Sequence, residues 1–115
     1  MELNTLEREI LIDIYDADNL PGMSFEIEDY KLTEEDEIQK KQEFAFYLGR
    51  LKKLGYIKYK DDEAFSKSGI RSAKYNNNVT IVNEDKIHID SKGIKLVELY
   101  NYNTTENQKE MFRCS

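Results

Sequence analysis

The sequence is poor in the residues that build disulfides and metal centres: it has one cysteine, one histidine, one proline and no tryptophan. A single cysteine, Cys114, cannot form an internal disulfide. One cysteine together with one histidine cannot complete a tetrahedral zinc site. The glycine-rich loops that cradle phosphates are also missing. We therefore expect neither a metal nor another cofactor.

Candidate catalytic residues are equally scarce. His88 lies between two isoleucines in an alternating segment, so we expect it to face solvent rather than an active site. Asp13, Asp16 and Asp18 suggest a cation site, but Pro21 stands in the region where an EF-hand needs ligands and a turn glycine. We expect a protein that is not an enzyme.

Long apolar runs are absent as well. No run approaches the roughly 20 residues that a membrane span requires. The N-terminal residues Met1-Glu2-Leu3-Asn4 lack the basic and apolar regions of a signal peptide. The expected location is the cytoplasm, with no membrane contact.

Charge is abundant and unevenly distributed. The net charge is −6, yet residues 1–48 carry fourteen acids and four bases, whereas residues 50–95 carry eleven bases and six acids. Local charge decides which polyanion or polycation can approach a surface. The C-terminal half therefore favours an anionic partner and the N-terminal half a cationic one.

Apolar spacing predicts two long helices. Leu3, Leu6, Ile10 and Ile14 indicate a first helix, capped by Asn4 and stopped by the turn residues at 18–22. Alternation over 23–28 predicts a short strand. The second helix is expected over 33–54, with Thr33 as its cap, acids at 34–37 in its first turn, and Gly55 ending it.

Beyond Gly55 the sequence predicts mainly β-structure and one more helix. A strand is expected over 56–60, and a loop over 61–78. A hairpin is expected to pair 79–82 with 86–89 through 83–85, followed by a helix from about residue 90. Together these elements predict an α+β fold with three helices and a small antiparallel sheet. The expected domain covers residues 1–100, and 101–115 form a polar tail.

The segment Leu51-Lys52-Lys53-Leu54-Gly55-Tyr56-Ile57 resembles the junction between recognition helix and wing in winged helix-turn-helix proteins. Residues 87–97 resemble the second wing strand leading into the last helix, where a glycine allows close packing on the sheet. Within that fold, the chain resembles the YjcQ-like group of short proteins from Gram-positive bacteria and their phages. Its second helix and its wing, over 61–85, are longer than usual. The resemblance implies an extended wing hairpin.

A winged helix places its second long helix in the DNA major groove and its wing on the backbone. On that basis we expect a regulator of a phage or mobile element that binds double-stranded DNA. Because many winged helices bind DNA as dimers, a homodimer formed through helix 1 or the tail is one expected arrangement. The expected groove contacts are Lys40, Lys41, Gln42, Tyr47 and Arg50, with Lys53 on the same helix. The expected phosphate contacts are Lys58, Lys60, Lys67, Arg71 and Lys74.

The acids at 34–37 argue against this interpretation, because DNA phosphates would repel them. The alternative is an acidic protein-interaction module that binds or inhibits a host protein through its acidic face, as a mimic of DNA, or through Phe46 and Tyr47 as aromatic anchors. Either aromatic residue can instead belong to the core, and the bases can simply be a solvated surface.

Overall fold

The computed structural model describes residues 3–101. In chain order it contains the helix α1 (Thr5–Asn19), a 3-10 turn (Ile27–Asp29), the helix α2 (Glu37–Lys53), the strand β1 (Ile57–Lys58) and the short helix α3 (Asp61–Ala64). The strands β2 (Phe65–Ser72) and β3 (Asn77–Val82), a 3-10 turn (Glu84–Lys86), the strand β4 (His88–Ile89) and the helix α4 (91–101) follow. Across this part of the chain the fold is α+β, with four helices and two small antiparallel sheets, and it is compatible with a winged helix.

The start of α1 has the capping box expected from the sequence. Asn4 Oδ1 accepts from the Glu7 amide at 2.8 Å, and Glu7 Oε1 accepts from the Asn4 amide at 3.1 Å. Ile10, Leu11 and Ile14 are buried on the inner face of the helix. The predicted first helix is therefore confirmed in position, cap and buried face.

The turn at Gly55 is also confirmed. Gly55 has φ +86°, a backbone conformation that glycine adopts without steric cost. Its amide donates to Lys52 O, and the Tyr56 amide donates to Leu51 O, both at 3.0 Å. This pair of bonds is the Schellman motif, which ends α2 and turns the chain into β1.

Gly93 makes the close contact that the winged-helix resemblance implies. An added Cβ would lie 2.1 Å from the carbonyl oxygen of Tyr56. The same oxygen accepts from the Asp90 amide at 2.9 Å, just before α4 begins. Helix α4 thus packs directly on the backbone that follows α2, and only glycine fits at this position.

The core lies where α1, α2, the β1–β4 pair and α4 meet. Phe44 is fully buried at its centre and stacks on Tyr30 with ring centroids 5.4 Å apart. Phe25 approaches the same ring at 6.2 Å. The segment between α1 and α2 is therefore fixed by aromatic packing rather than by a strand.

Several predicted elements are wrong. The segment 23–28 forms no strand within the described structure, because it finds no pairing partner; Phe25 alone is deeply buried there, while Met23 is 49% exposed. Helix α2 begins at Glu37 rather than Thr33, with Asp36 as its cap. The predicted loop over 61–78 contains α3 and β2.

The predicted strand pairing is also wrong. β3 pairs with β2, with Phe65 opposite Val82, and β4 pairs with β1, with Ile57 opposite Ile89. Residues 83–85 do not form a hairpin turn, since a 3-10 turn at Glu84–Lys86 separates the two sheets. The long hairpin of the structure is therefore β2–β3, not 79–89. The predicted tail lies outside the described residues, except for Asn101, which belongs to α4.

Candidate nucleic-acid interface

A buried carboxylate fixes the approach to α2. Glu43 is fully buried, and its oxygens accept from the amides of Thr33 and Glu34 at 3.0 Å and from the Thr33 hydroxyl at 2.9 Å. Tyr47 donates its hydroxyl to the same carboxylate at 3.2 Å. Burial, then the Glu43 charge and this hydrogen bond, raise the pKa of Tyr47. Thr33 is thus held by Glu43 and cannot act as the helix cap.

This arrangement corrects the predicted acidic first turn of α2. Only Glu37 lies in that turn, because Glu34, Glu35 and Asp36 precede the helix. Asp36 accepts from the amides of Ile38 and Gln39 at 3.1 Å. The acids therefore project from the loop before α2 rather than from its sides.

The β2–β3 hairpin runs along α2. The Gln42 side chain donates to Ile70 O at 3.1 Å, and the Asn77 side chain donates to Gln42 O at 3.0 Å. Val79 of β3 and Ala45 of α2 are both buried between these elements. The turn of the hairpin contains Asn76 with φ +55°. The hairpin is therefore fixed against the helix.

The hairpin turn is tied to the start of α2 by one carboxylate. Glu34 Oε2 accepts from Tyr75 Oη at 2.7 Å and from Lys74 Nζ at 2.9 Å. The Tyr75 hydrogen bond, followed by the one from Lys74, lowers the pKa of Glu34. The bond to Glu34 in turn raises the pKa of Lys74. Lys74, predicted to contact phosphate, is thus already paired with an acid.

Between the C-terminal half of α2 and the hairpin lies a groove of about 450 Å³, here called the α2–hairpin groove. A volume of this size is within the range of about 300–1,000 Å³ typical of small-molecule sites. Its walls carry one acid, Asp61, together with four basic and four aromatic side chains. The basic residues are Arg50, Lys53, Lys67 and Arg71, and the aromatic residues are Phe46, Tyr59, Phe65 and Tyr75.

The four bases differ in how they are held. Arg50 Nη1 lies 3.2 Å from Glu7 Oε2, Lys67 pairs with Asp61, and Arg71 donates to the Asn76 side chain. Lys53 has no ion-pair partner among residues 3–101 and is exposed. Protein contacts thus orient three of the cations, whereas Lys53 extends into solvent.

The aromatic side chains also differ in burial. Phe46 is 38% exposed, and its ring centroid lies 5.8 Å from those of Tyr47 and Tyr75. Phe65 is buried and meets Tyr59 edge-on at 5.2 Å. Burial and the nearby Asp61 raise the pKa of Tyr59 to about 12. The Tyr59 hydroxyl therefore stays protonated at neutral pH.

The predicted groove contacts on α2 are not all on its outward face. Gln42 is only 2% exposed and bonds the hairpin, which contradicts its predicted contact with DNA. Tyr47 is partly buried and bonds Glu43. Lys40 and Lys41 are also partly buried, and Lys40 Nζ lies 3.6 Å from Glu37 Oε1. Because these side chains lie on the flanks of the helix, they do not form a continuous outward surface.

The outward face of α2 is formed by other residues. Gln39, Phe46 and Lys53 are exposed at spacings of seven residues, which corresponds to two helical turns. Lys58 and Lys60 are exposed on and just after β1, as a phosphate contact requires. Lys53, Lys58 and Lys60 thus lie at or beyond the end of α2, whereas Lys74 lies beside the segment that precedes its start.

Sequence reasoning missed the hairpin residues of the groove. Tyr75 and Asn76 were not predicted to be site residues, because 61–78 has the composition of a loop. The run Asn76-Asn77-Asn78 was a usable signal, since Asn tolerates the left-handed backbone of a hairpin turn.

A second groove, of about 640 Å³, lies between the end of α1 and the segment before β4. Its lining includes Met23 and the acids Asp18, Glu26, Glu28, Glu84 and Asp85. We call it the acidic groove.

Asp18 in the acidic groove has a structural role. One of its oxygens lies 2.9 Å from His88 Nδ1, and the other accepts from the Ile89 amide at 2.6 Å. His88 is exposed, as expected. In the described part of the chain, no cluster of three or more His, Cys, Asp or Glu residues is arranged to hold a metal.

No model of a known family, no curated protein and no solved structure matches the chain. Among residues 3–101, no helix combines the length and the apolar character needed to cross a membrane.

Proposed function

We propose that this domain binds double-stranded DNA through the C-terminal half of α2 and the β2–β3 hairpin, as a winged-helix regulator. The observation that carries the proposal is the convergence of Arg50, Lys53, Lys67 and Arg71 on one groove. These four residues come from two elements and were each expected to contact DNA. Lysine and arginine side chains bind phosphates by charge and by hydrogen bonds.

The negative net charge of the chain implies that DNA binds at a local basic surface rather than by overall attraction. The whole chain carries −6, so the protein as a whole repels a polyanion. Attraction must therefore come from the basic end of α2, extended by Lys58 and Lys60. Glu34, Glu35 and Asp36 precede the helix, so these acids lie at the opposite end of α2 from the basic residues that are proposed to contact DNA.

The proposed docking differs from the usual helix-turn-helix. The segment before α2 contains a 3-10 turn at Ile27–Asp29 and extended residues rather than a full helix. The hairpin also occupies the flank of α2 through Gln42 and Asn77. Duplex DNA would therefore meet the C-terminal end of the outward face, at Lys53, together with the hairpin. Dimer formation is proposed on the winged-helix resemblance alone, and a setting in a phage or mobile element on the resemblance to the YjcQ-like group alone.

The test is fluorescence anisotropy with a labelled duplex of about 25 base pairs, titrated from about 50 to about 200 mM salt. We expect the logarithm of the affinity to fall with a slope of about −3 to −4 against the logarithm of salt, since each phosphate contact by a cation without a carboxylate partner adds about −0.9. Among residues 3–101, four cations at this surface have no such partner: Lys53, Lys58, Lys60 and Arg71. The double variant Lys53→Ala/Arg71→Ala should lose about half of that slope.

The matched control is Lys31→Ala/Lys95→Ala, which removes the same charge at two exposed lysines outside the groove. We expect this control to bind as the wild type does. Equal losses in both double variants would mean that net charge, and not the groove, governs binding. Absence of duplex binding at the lowest salt would contradict the proposal.

A second candidate function rests on the acidic groove. Five carboxylates surround a cavity of about 640 Å³ beside Met23, which is 49% exposed. This combination suits a protein partner that presents basic and apolar side chains. Titration of a Lys- and Leu-rich peptide should then show binding that Glu26→Gln/Glu28→Gln weakens. The same variant should not change DNA affinity, which separates the two candidates.

A further inference from the structure

Phe46 is the most exposed of the four aromatic residues that line the α2–hairpin groove. It lies on the outward face of α2 and keeps 38% of its surface exposed, while Ala45 and Leu48 beside it are buried. Its contacts with Tyr47 and Tyr75 are tilted rather than parallel, with interplanar angles of 66° and 56°. The ring therefore remains accessible from the groove.

Cations lie on both sides of this ring. Lys53 is seven residues after Phe46 on the same helix, about two turns along. Lys67 and Arg71 stand on the opposite wall, which the hairpin supplies. An aromatic platform between basic walls is the arrangement by which proteins hold single strands: the ring stacks on a base and the cations follow the phosphates.

We propose that the α2–hairpin groove holds an unpaired base of a single-stranded nucleic acid, stacked on Phe46, with Lys53 and Arg71 on the adjacent phosphates. The inference rests on the proposed function, because the same cations contact the duplex. It adds that the site distinguishes an exposed base from a paired one. In a duplex the base faces are stacked on one another and are not available to Phe46.

The lining of the groove favours this ligand over a peptide. Four bases face a single acid, Asp61, which already pairs with Lys67. An anionic, aromatic ligand matches both features. The side-chain amides of Asn77 and Asn78 donate to backbone carbonyls, so they hold the hairpin in shape rather than read base edges. Recognition is therefore expected to depend little on base identity.

The absence of tryptophan from the sequence gives a direct probe. In Phe46→Trp the indole is the only tryptophan, and a stacked base should quench its fluorescence. The ligands are a thymidine strand of about ten nucleotides, an abasic strand of the same length, and the corresponding uridine strand. We expect quenching by both base-containing strands and none by the abasic strand. The uridine arm reports whether the ribose is tolerated.

The control variant is Phe46→Leu, which keeps an apolar side chain without an aromatic ring. Unfolding midpoints should match the wild type, since the position is partly exposed. Measured by anisotropy, the thymidine strand should bind about ten-fold more weakly to Phe46→Leu than to the wild type. Affinity for the abasic strand and for the duplex should change less than about two-fold.

Equal binding of thymidine and abasic strands by the wild type would overturn the inference. If duplex binding persists in that case, the proposed function stands and only the stacking site fails. If neither strand nor duplex binds, both fail together. A ten-fold loss of duplex affinity in Phe46→Leu would also overturn the inference, because the ring would then act on paired DNA.

Discussion

Glu7 of α1 and Arg50 of α2 form an ion pair at 3.2 Å that fixes one wall of the α2–hairpin groove. Glu7 is fully buried and uses its other oxygen in the capping box of α1. The paired oxygen, Oε2, accepts no hydrogen bond among the described residues, so charge attraction is its main stabilising contact. The start of α1 thus orients a cation that was expected to be free for DNA.

We expect Arg50→Met to destabilise the fold by about 2–3 kcal/mol. A buried carboxylate without its partner is costly, and the partial exposure of Arg50 moderates the loss. Adding Glu7→Gln should recover at least about 1 kcal/mol, because glutamine keeps the capping box and removes the charge. Urea unfolding of the four proteins measures this coupling. Strictly additive effects would show that the pair contributes nothing to stability.

Gly93 gives a second prediction about stability. Its Cβ position lies 2.1 Å from Tyr56 O and 2.8 Å from Ile89 Cδ1, and the backbone oxygen cannot move without displacing β1. We expect Gly93→Ala to cost about 3 kcal/mol. Gly69→Ala is the control, since nothing lies within 4 Å of its Cβ position. Thermal unfolding should show a large fall for the first variant and little change for the second; similar midpoints would contradict the packing of α4.

The Glu34 contact predicts a dependence on pH. Because its pKa is lowered in the folded state, Glu34 stabilises the fold above its usual value of 4.5, and this contribution is lost as the pH falls through the lowered pKa. Between pH 7 and pH 3 the wild type should therefore lose more stability than Glu34→Gln. Urea midpoints at several pH values measure the difference. Parallel curves would mean that the Lys74 and Tyr75 contacts do not form in solution.

Local signals in the sequence predicted the local features of the fold. Asn4 and Glu7 lie three residues apart, and Gly55 needs only the residues beside it, so the start of α1 and the end of α2 are accessible to sequence reasoning. Thr33 failed as a cap because its partner, Glu43, is ten residues away and buried. No local pattern reveals such a contact.

Strand pairing was the feature that sequence patterns could not provide. In β2 only Phe65 is buried, and the remaining residues are exposed or partly exposed because β3 makes most of the packing with α2. Its sequence therefore has the composition of a loop. Conversely, 23–28 alternates as a strand does but meets no partner among the described residues. The sequence predicted the basic residues of the groove as DNA contacts, whereas the positions of Phe65 and Tyr75 in its wall depend on the pairing of β2 with β3.

The pairing of Lys74 with Glu34 leads to the last prediction, which concerns DNA. A lysine that already neutralises a carboxylate at 2.9 Å brings no net charge to a phosphate. Lys74→Ala should therefore leave the salt dependence of duplex binding nearly unchanged, whereas Lys53→Ala should reduce its slope by about one.

Glu34→Gln should make the salt dependence of duplex binding steeper, because it removes the carboxylate that pairs with Lys74 and so frees this lysine near the hairpin turn. In that variant we expect tighter duplex binding and a slope steeper by about one, measured by anisotropy over the same salt range. An unchanged slope in Glu34→Gln would place Lys74, and with it the turn of the hairpin, outside the DNA-contacting surface.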